Sequence, residues 1–150
     1  LVGEWRSEEY HATISAPSEK PLYKVAVVAL DDEEIKGAMN LEMRATKIGE
    51  HGYLDLFLAK SERRKLAQEY GGLVIPTHQI MRYKLDGDVL TLWLLSADEI
   101  AGGEGRTHIA YDGSDADASV LTAETAALRK MVETAPDAAF EPATEFKRVR

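Results

Sequence analysis

The residues best suited to hold a metal or move a proton are four histidines, His11, His51, His78 and His108. No two stand at His-x-x-x-His spacing, which would put both imidazoles on one face of a helix. His51 falls in a turn and His78 in a strand, so only tertiary structure could join them, and all four read as ordinary surface or satisfied histidines. Asp112-Gly113-Ser114-Asp115-Ala116-Asp117 is dense in carboxylates. A calcium loop needs oxygen ligands at positions one, three and five, Gly at six and Glu at twelve. Counted from Asp115, the sixth position is Val120 and the twelfth is Ala126, so the segment reads as an acidic loop. Serine-nucleophile chemistry lacks its Gly-x-Ser-x-Gly turn. Gly102-Gly103-Glu104-Gly105 lacks the Lys-Ser/Thr pair of a phosphate loop. Asp86 and Asp88 flank a glycine in a hairpin, where turn chemistry accounts for them. The expectation is a protein with no catalytic residue, no cofactor and no metal, and not an enzyme.

What remains is apolar surface, and its spacing predicts strands. Met39, Leu41, Met43 and Ala45 alternate with Asn40, Glu42, Arg44 and Thr46, the period-two pattern of a half-buried strand. Tyr53 to Ala59 alternates with bulk on both sides, so its outer face is expected to be covered as well. Gly49-Glu50-His51-Gly52 is a polar turn between these two strands. Tyr10–Ser15 and Leu22–Leu30 read as earlier strands and Thr107–Tyr111 as a later, short one. Ser61–Tyr70 breaks the alternation. It is rich in helix formers, with Ser61 as the expected N-cap and Gly71-Gly72 as the stop, and it reads as a short mid-chain helix. Thr122 is the expected cap of a second helix running to about Ala135, with Leu128, Met131 and Val132 as its buried stripe. Asp112–Ser119 is read as loop, and Thr144–Val149 alternates again as a returning strand.

The clearest hairpin joins Leu73–Leu85 to Asp88–Leu95 through Asp86-Gly87, a pair that favours positive φ at both central positions of a two-residue turn. If Leu85 pairs with Asp88, then Tyr83 faces Leu90, Met81 faces Leu92 and Gln79 faces Leu94. One face is then apolar, and Ile80, Arg82, Lys84, Thr91 and Trp93 lie on the other. An apolar wall with a few polar groups suits a small-molecule site. Thr77, Gln79, Met81, Tyr83, Leu90 and Leu92 are therefore the candidate ligand-binding residues, for a small apolar or amphipathic ligand. The same side chains could equally fill a barrel and leave no pocket, the protein then acting through its outer surface as an envelope-associated interaction module.

Gly3-Glu4-Trp5 opens the first strand and resembles the Gly-x-Trp signature of lipocalins and their calycin relatives. The segments Arg82-Tyr83-Lys84-Leu85-Asp86-Gly87-Asp88 and Leu121-Thr122-Ala123-Glu124-Thr125-Ala126-Ala127-Leu128 are similar to those of bacterial lipocalin-like proteins, often exported or lipid-anchored. The resemblance covers nearly the whole chain and lends a fold but no activity. It implies one lipocalin-like domain over residues 1–150: an antiparallel, mostly β barrel with a C-terminal α-helix and a short mid-chain helix. It further implies that Trp5 packs at one barrel end with a basic partner, for which Arg148 and Arg150 are the candidates. The helix at Ser61–Tyr70 departs from the family pattern, and the glycine-rich extension found in haem-binding barrels with this opening is missing.

Composition narrows the partners. The 150 residues carry 18 Lys and Arg against 26 Asp and Glu, a formal charge of -8. Such a surface repels phosphate backbones, so nucleic acid is not an expected partner. There is no cysteine, which excludes disulfides and zinc thiolates and fits either a reducing compartment or an exported protein without disulfides. The first residue is Leu1 rather than Met, as a cleaved signal peptide or a trimmed chain would explain. An extracytoplasmic location, with membrane anchoring upstream of Leu1, is the expectation. Elemental analysis after dialysis should find no stoichiometric zinc, iron or calcium, and one equivalent of any of them would overturn the reading of the histidines and the acidic loop.

Overall fold

Alternation decides which side of each strand turns inward, and antiparallel pairing carries that choice from strand to strand. The structure is a computed structural model that describes residues 1–16, 22–30, 38–71, 78–95, 108–110, 119–121, 125–140 and 143–150. Strands β1 (Gly3–Arg6), β2 (Tyr10–Ser15), β3 (Leu22–Ala29), β4 (Met39–Ile48) and β5 (His51–Leu58) precede helix α1 (Lys60–Glu69). Strands β6 (His78–Asp86) and β7 (Val89–Leu94) follow, then β8 (His108–Ala110), β9 (Ser119–Leu121), helix α2 (Thr125–Thr134), a 3₁₀ turn (Asp137–Ala139) and β10 (Thr144–Arg148). Strands β1 to β7 pair in chain order, and β10 inserts between β7 and β1 to close an eight-stranded antiparallel barrel. This is the lipocalin-like barrel with two helices that the sequence implies. No helix among the described residues is long and apolar enough to cross a membrane.

Inside the barrel lie Trp5, Ala12, Ile14, Val25, Met43, Leu54, Leu90 and Phe146, all buried, with Leu41, Ala45, Leu56, Met81, Tyr83 and Leu92 packed around them. A second core lies outside the sheet. Val132 of α2, Ala139 and Phe140 cover Tyr53 on β5, with Ile80, Trp93 and Met131 around them. The outer face of β5 is therefore covered at Tyr53, while Phe57 further along it packs against Arg44 and His78. Arg82 fastens this layer. Its guanidinium lies 4.3 Å from the Phe140 ring centroid and 5.5 Å from that of Trp93, and its Nη1 donates to Asp137 Oδ1 at 2.6 Å. This hydrogen bond holds the Asp137 carboxyl below its usual range.

Several local expectations are corrected. The hairpin turn is Gly87-Asp88, not Asp86-Gly87: Asp86 pairs with Val89, Leu85 with Leu90, Tyr83 with Leu92 and Met81 with Leu94. Gly87 has φ +58° and among the described residues no non-glycine residue has positive φ, so glycine takes the first central position, as in type II′ turns. The pairing moves by two positions along the partner strand, so the inward face survives while every partner changes. Gln79 faces Leu56 of β5. Helix α1 begins at Lys60 with Ala59 at its N-cap and no side-chain cap. Ser61 lies within the first turn, and a hydrogen bond from Asn40 to Glu62 ties the helix to β4 at 2.8 Å. Met39, expected inside, is 56% exposed at the start of β4. The β4–β5 turn is only Gly49-Glu50, since Ile48 pairs with His51, and Ser119 begins a strand that pairs with β8. Leu73–Thr77, the expected cap Thr122 and the loop Asp112–Ala118 lie outside the described residues.

Removing the Trp5 side chain, which is 0% exposed, should destabilise the fold by about 3–5 kcal/mol, as for a large aromatic deleted from a core. Denaturant melts of Trp5→Ala check this, and a loss under about 1 kcal/mol would mean the indole is not packed as described. Val132→Asp should release α2 without opening the barrel, because Val132 belongs to the outer core alone. Limited proteolysis would then cut the α2 segment while sheet circular dichroism persists.

Candidate functional site

Four of the six candidate ligand-binding residues, Met81, Tyr83, Leu90 and Leu92, pack among the inward-facing side chains. Of these four, Leu90 is fully buried and the other three are partly buried. Leu90 is 2% exposed, and Trp5, Met43 and Leu54 fill the same interior at 0–2% exposure. Gln79 shares their face but is exposed near the start of β6, and Thr77 lies outside the described residues.

Of the five described candidates Tyr83 alone lines an open cleft of about 430 Å³, together with Leu1, Tyr23, Ala45, Lys47, Gly52 and Leu85. The cleft lies at the barrel end where the chain begins and where the turns Gly49-Glu50 and Gly87-Asp88 reverse the strands. Small residues make the space. Ala45 follows Met43 along the inward face of β4, and Gly52 sits opposite Lys47 on one side and Tyr83 on the other. A Cβ on Gly52 would come within 2.6 Å of Tyr83 Cε1 and 2.8 Å of Cζ. The phenol ring therefore lies directly against bare backbone, a position that any side chain on Gly52 would deny it. The alternation that marks β4 in the sequence runs from Met39 to Ala45. Continuing the same alternation by one step puts Lys47, a cation, on the apolar face, and Gly52 is a missing side chain in the next strand's inward row. Those two irregularities were the available signal for the cleft.

The same barrel end is locked by Trp5. Arg148 pairs with it across β1 and β10 and places its guanidinium 4.3 Å from the indole centroid. Gly3 explains the first position of the Gly-x-Trp opening, because a Cβ there would land on Arg148 Nη1. The indole N–H donates to Leu1 O at 2.7 Å, and Arg148 Nη1 donates to Val2 O at 2.8 Å. Arg150, the other candidate, does not reach the indole and instead binds Asp88 Oδ2 at 2.6 Å. Arg148 Nε meets the other oxygen of Asp88 at 3.3 Å. The hydrogen bond from Arg150, reinforced by both guanidinium charges, holds the Asp88 carboxyl below its usual range.

On the outer face, His78 Nδ1 lies 2.6 Å from Asp55 Oδ1 and its ring stacks on Phe57 at 4.7 Å. Arg44 covers Phe57 at 5.1 Å from the ring centroid and reaches Asp55 Oδ2 at 3.6 Å. The arrangement orients an imidazole against a carboxylate. Among the described residues no group of three or more His, Cys, Asp or Glu is placed to hold a metal ion.

Because the folded pKa of Asp88 is lowered, its ion pairs support folding at pH values above the ordinary carboxylate range. That support is lost as pH falls through the lowered folded value. Asp88→Asn is therefore expected to melt below the wild type at pH 7, and the two curves should converge in acid. A gap in melting temperature that persists unchanged in acid would show that Asp88 acts through its turn rather than its charge.

No family model matches the chain, and neither the curated proteins nor the solved structures contain a significant match.

Proposed function

We propose that this barrel acts by binding a small apolar or amphipathic molecule, and that the binding site is the cleft at its Trp5 end rather than the barrel axis. The observation that carries this is the cleft itself: about 430 Å³ between the inward faces of β3 to β6, within the range of small-molecule sites. Two phenols and an aliphatic side chain, Tyr23, Tyr83 and Leu85, supply apolar wall with polar tips. Met81, Leu90 and Leu92 support it from behind, so their place in the proposal is as backing for the cleft. The packed barrel interior favours a second reading, a filled barrel that works as a protein-interaction module through its outer surface. There the exposed Arg44–Phe57–His78 stack is the feature to examine. Membership of a lipocalin-like family and an extracytoplasmic setting, with anchoring ahead of Leu1, belong to the same proposal. The Gly3-x-Trp5 opening and the barrel architecture support the first, and the setting rests only on the resemblance to exported proteins.

A neutral fluorescent probe, N-phenyl-1-naphthylamine, is expected to bind saturably and raise the melting temperature. At 100 times its dissociation constant a ligand adds about 2.7 kcal/mol to stability. Ala45→Phe, which fills the cleft, should abolish binding while the variant still folds, whereas Thr91→Ala on the outer face should leave it intact. Probe binding that survives Ala45→Phe would move the site elsewhere, and no binding by the folded wild type would favour the interaction module.

A further inference from the structure

We infer that the molecule bound in this cleft carries an anionic head group and that Lys47 recognises it, an inference that rests on the cleft being the binding site. Among the described residues lining the cleft, Lys47 supplies the one charged side chain. Its position is unusual for a lysine. Along β4 the inward positions run Leu41, Met43, Ala45 and then Lys47, and the first three pack with the core. A lysine at the rim of an apolar row can lay its aliphatic stem along the wall and keep its ammonium at the opening. Lys47, Gly52 and Tyr83 form one row across β4, β5 and β6. The middle member has no side chain and the Tyr83 ring occupies its place, so the phenol is the next group along the row from Lys47.

The rest of the protein gives an anion no other reason to come here. The formal charge is -8, which opposes anions in general, but exposed charges separated by more than about 8 Å are largely screened at physiological salt. What the head group meets is therefore local. Among the described residues, no carboxylate forms an ion pair with Lys47. By contrast Arg148 and Arg150 share Asp88, and Lys84 lies 4.0 Å from Asp86. The phenols of Tyr23 and Tyr83 add hydroxyl donors to the lining, and Leu85 adds apolar surface for a tail. The chemical class that fits is a single-chain amphipath ending in a carboxylate or a similar anion, with its head at the barrel rim.

Three probes with the same alkyl chain separate the contributions: decanoate, decanol and decyltrimethylammonium, each titrated calorimetrically below its micellar concentration. Decanoate is expected to bind at least threefold tighter than decanol, a modest factor because the rim is exposed, and decyltrimethylammonium more weakly than either. Lys47→Met keeps most of the stem and removes the charge. It should bring decanoate down to the affinity of decanol and leave decanol unchanged, while Lys47→Arg restores the difference. Melting curves confirm that both variants fold. If decanoate gains less than threefold over decanol, or if Lys47→Met leaves that gain in place, the head-group inference is wrong while the cleft remains the site. If none of the three binds the folded wild type, the cleft reading fails and this inference fails with it.

Discussion

Closure of the barrel at the β1–β10 seam is the constraint on which the rest of the structure depends. Only two residue pairs form that seam, Trp5 with Arg148 and Arg6 with Lys147, whereas eight pairs join β4 to β5. A ladder so short leaves little backbone pairing to hold two edges together, and an open barrel would expose both edges to other chains. Side chains make up the difference. The Arg148 guanidinium lies over the indole of Trp5, passes where a Cβ on Gly3 would sit, and reaches the carboxylate of Asp88 in the neighbouring hairpin. A backbone bond from Val149 N to Glu4 O extends the seam past the last strand pair, and one from Arg148 N to Asp88 O ties the same end of β10 to the hairpin. The first and last strands, whose paired residues lie more than 140 positions apart in sequence, are held by one cation and the aromatic ring beneath it.

A second fastening works on the outside. The chain between β7 and β10 must return across the sheet, and its last part, with α2, packs over Tyr53, Ile80 and Trp93. Burial raises the pKa of Tyr53. Arg82 plays here the part that Arg148 plays inside: a guanidinium with 12% of its side chain exposed, set beside two aromatic rings and bonded to a carboxylate, Asp137, at 2.6 Å. Arginine suits both places because its flat, weakly hydrated fork can stack and hydrogen-bond at once, which a lysine ammonium cannot.

Between these fastenings, side-chain volume decides where a molecule could enter. An eight-stranded barrel has an interior just wide enough for its own side chains. Large residues from Trp5, Met43, Leu54 and Leu90 take that room, and Ala45 with Gly52 gives some of it back at one end. The cleft is thus a consequence of two small residues in adjacent strands. Tyr83 turns into the space above Gly52 and forms part of its wall.

Much of this was legible in the residues themselves. Period-two alternation in Met39–Ala45 and in the hairpin strand Asp88–Leu95 named strands and their inward faces, Met39 excepted, because a pleated strand ties side-chain direction to sequence parity. The amphipathic stripe with Met131 and Val132 marked the outer helix for the same kind of reason. Gly3-x-Trp5 pointed to a basic partner at the chain's end. The sequence could not choose between Arg148 and Arg150, since that depends on the β1–β10 register. Nor could it set the hairpin register, because Asp86-Gly87 and Gly87-Asp88 are both acceptable turns and a shift of two keeps every side chain on its face. Tertiary structure alone placed Lys47 opposite Gly52 and Gly52 opposite Tyr83. Alternation assigns a side chain to a face, but which side chains meet across strands, and whether they fill the space or leave it, is decided by pairing register and by summed volume, and neither quantity is local to any segment of the chain.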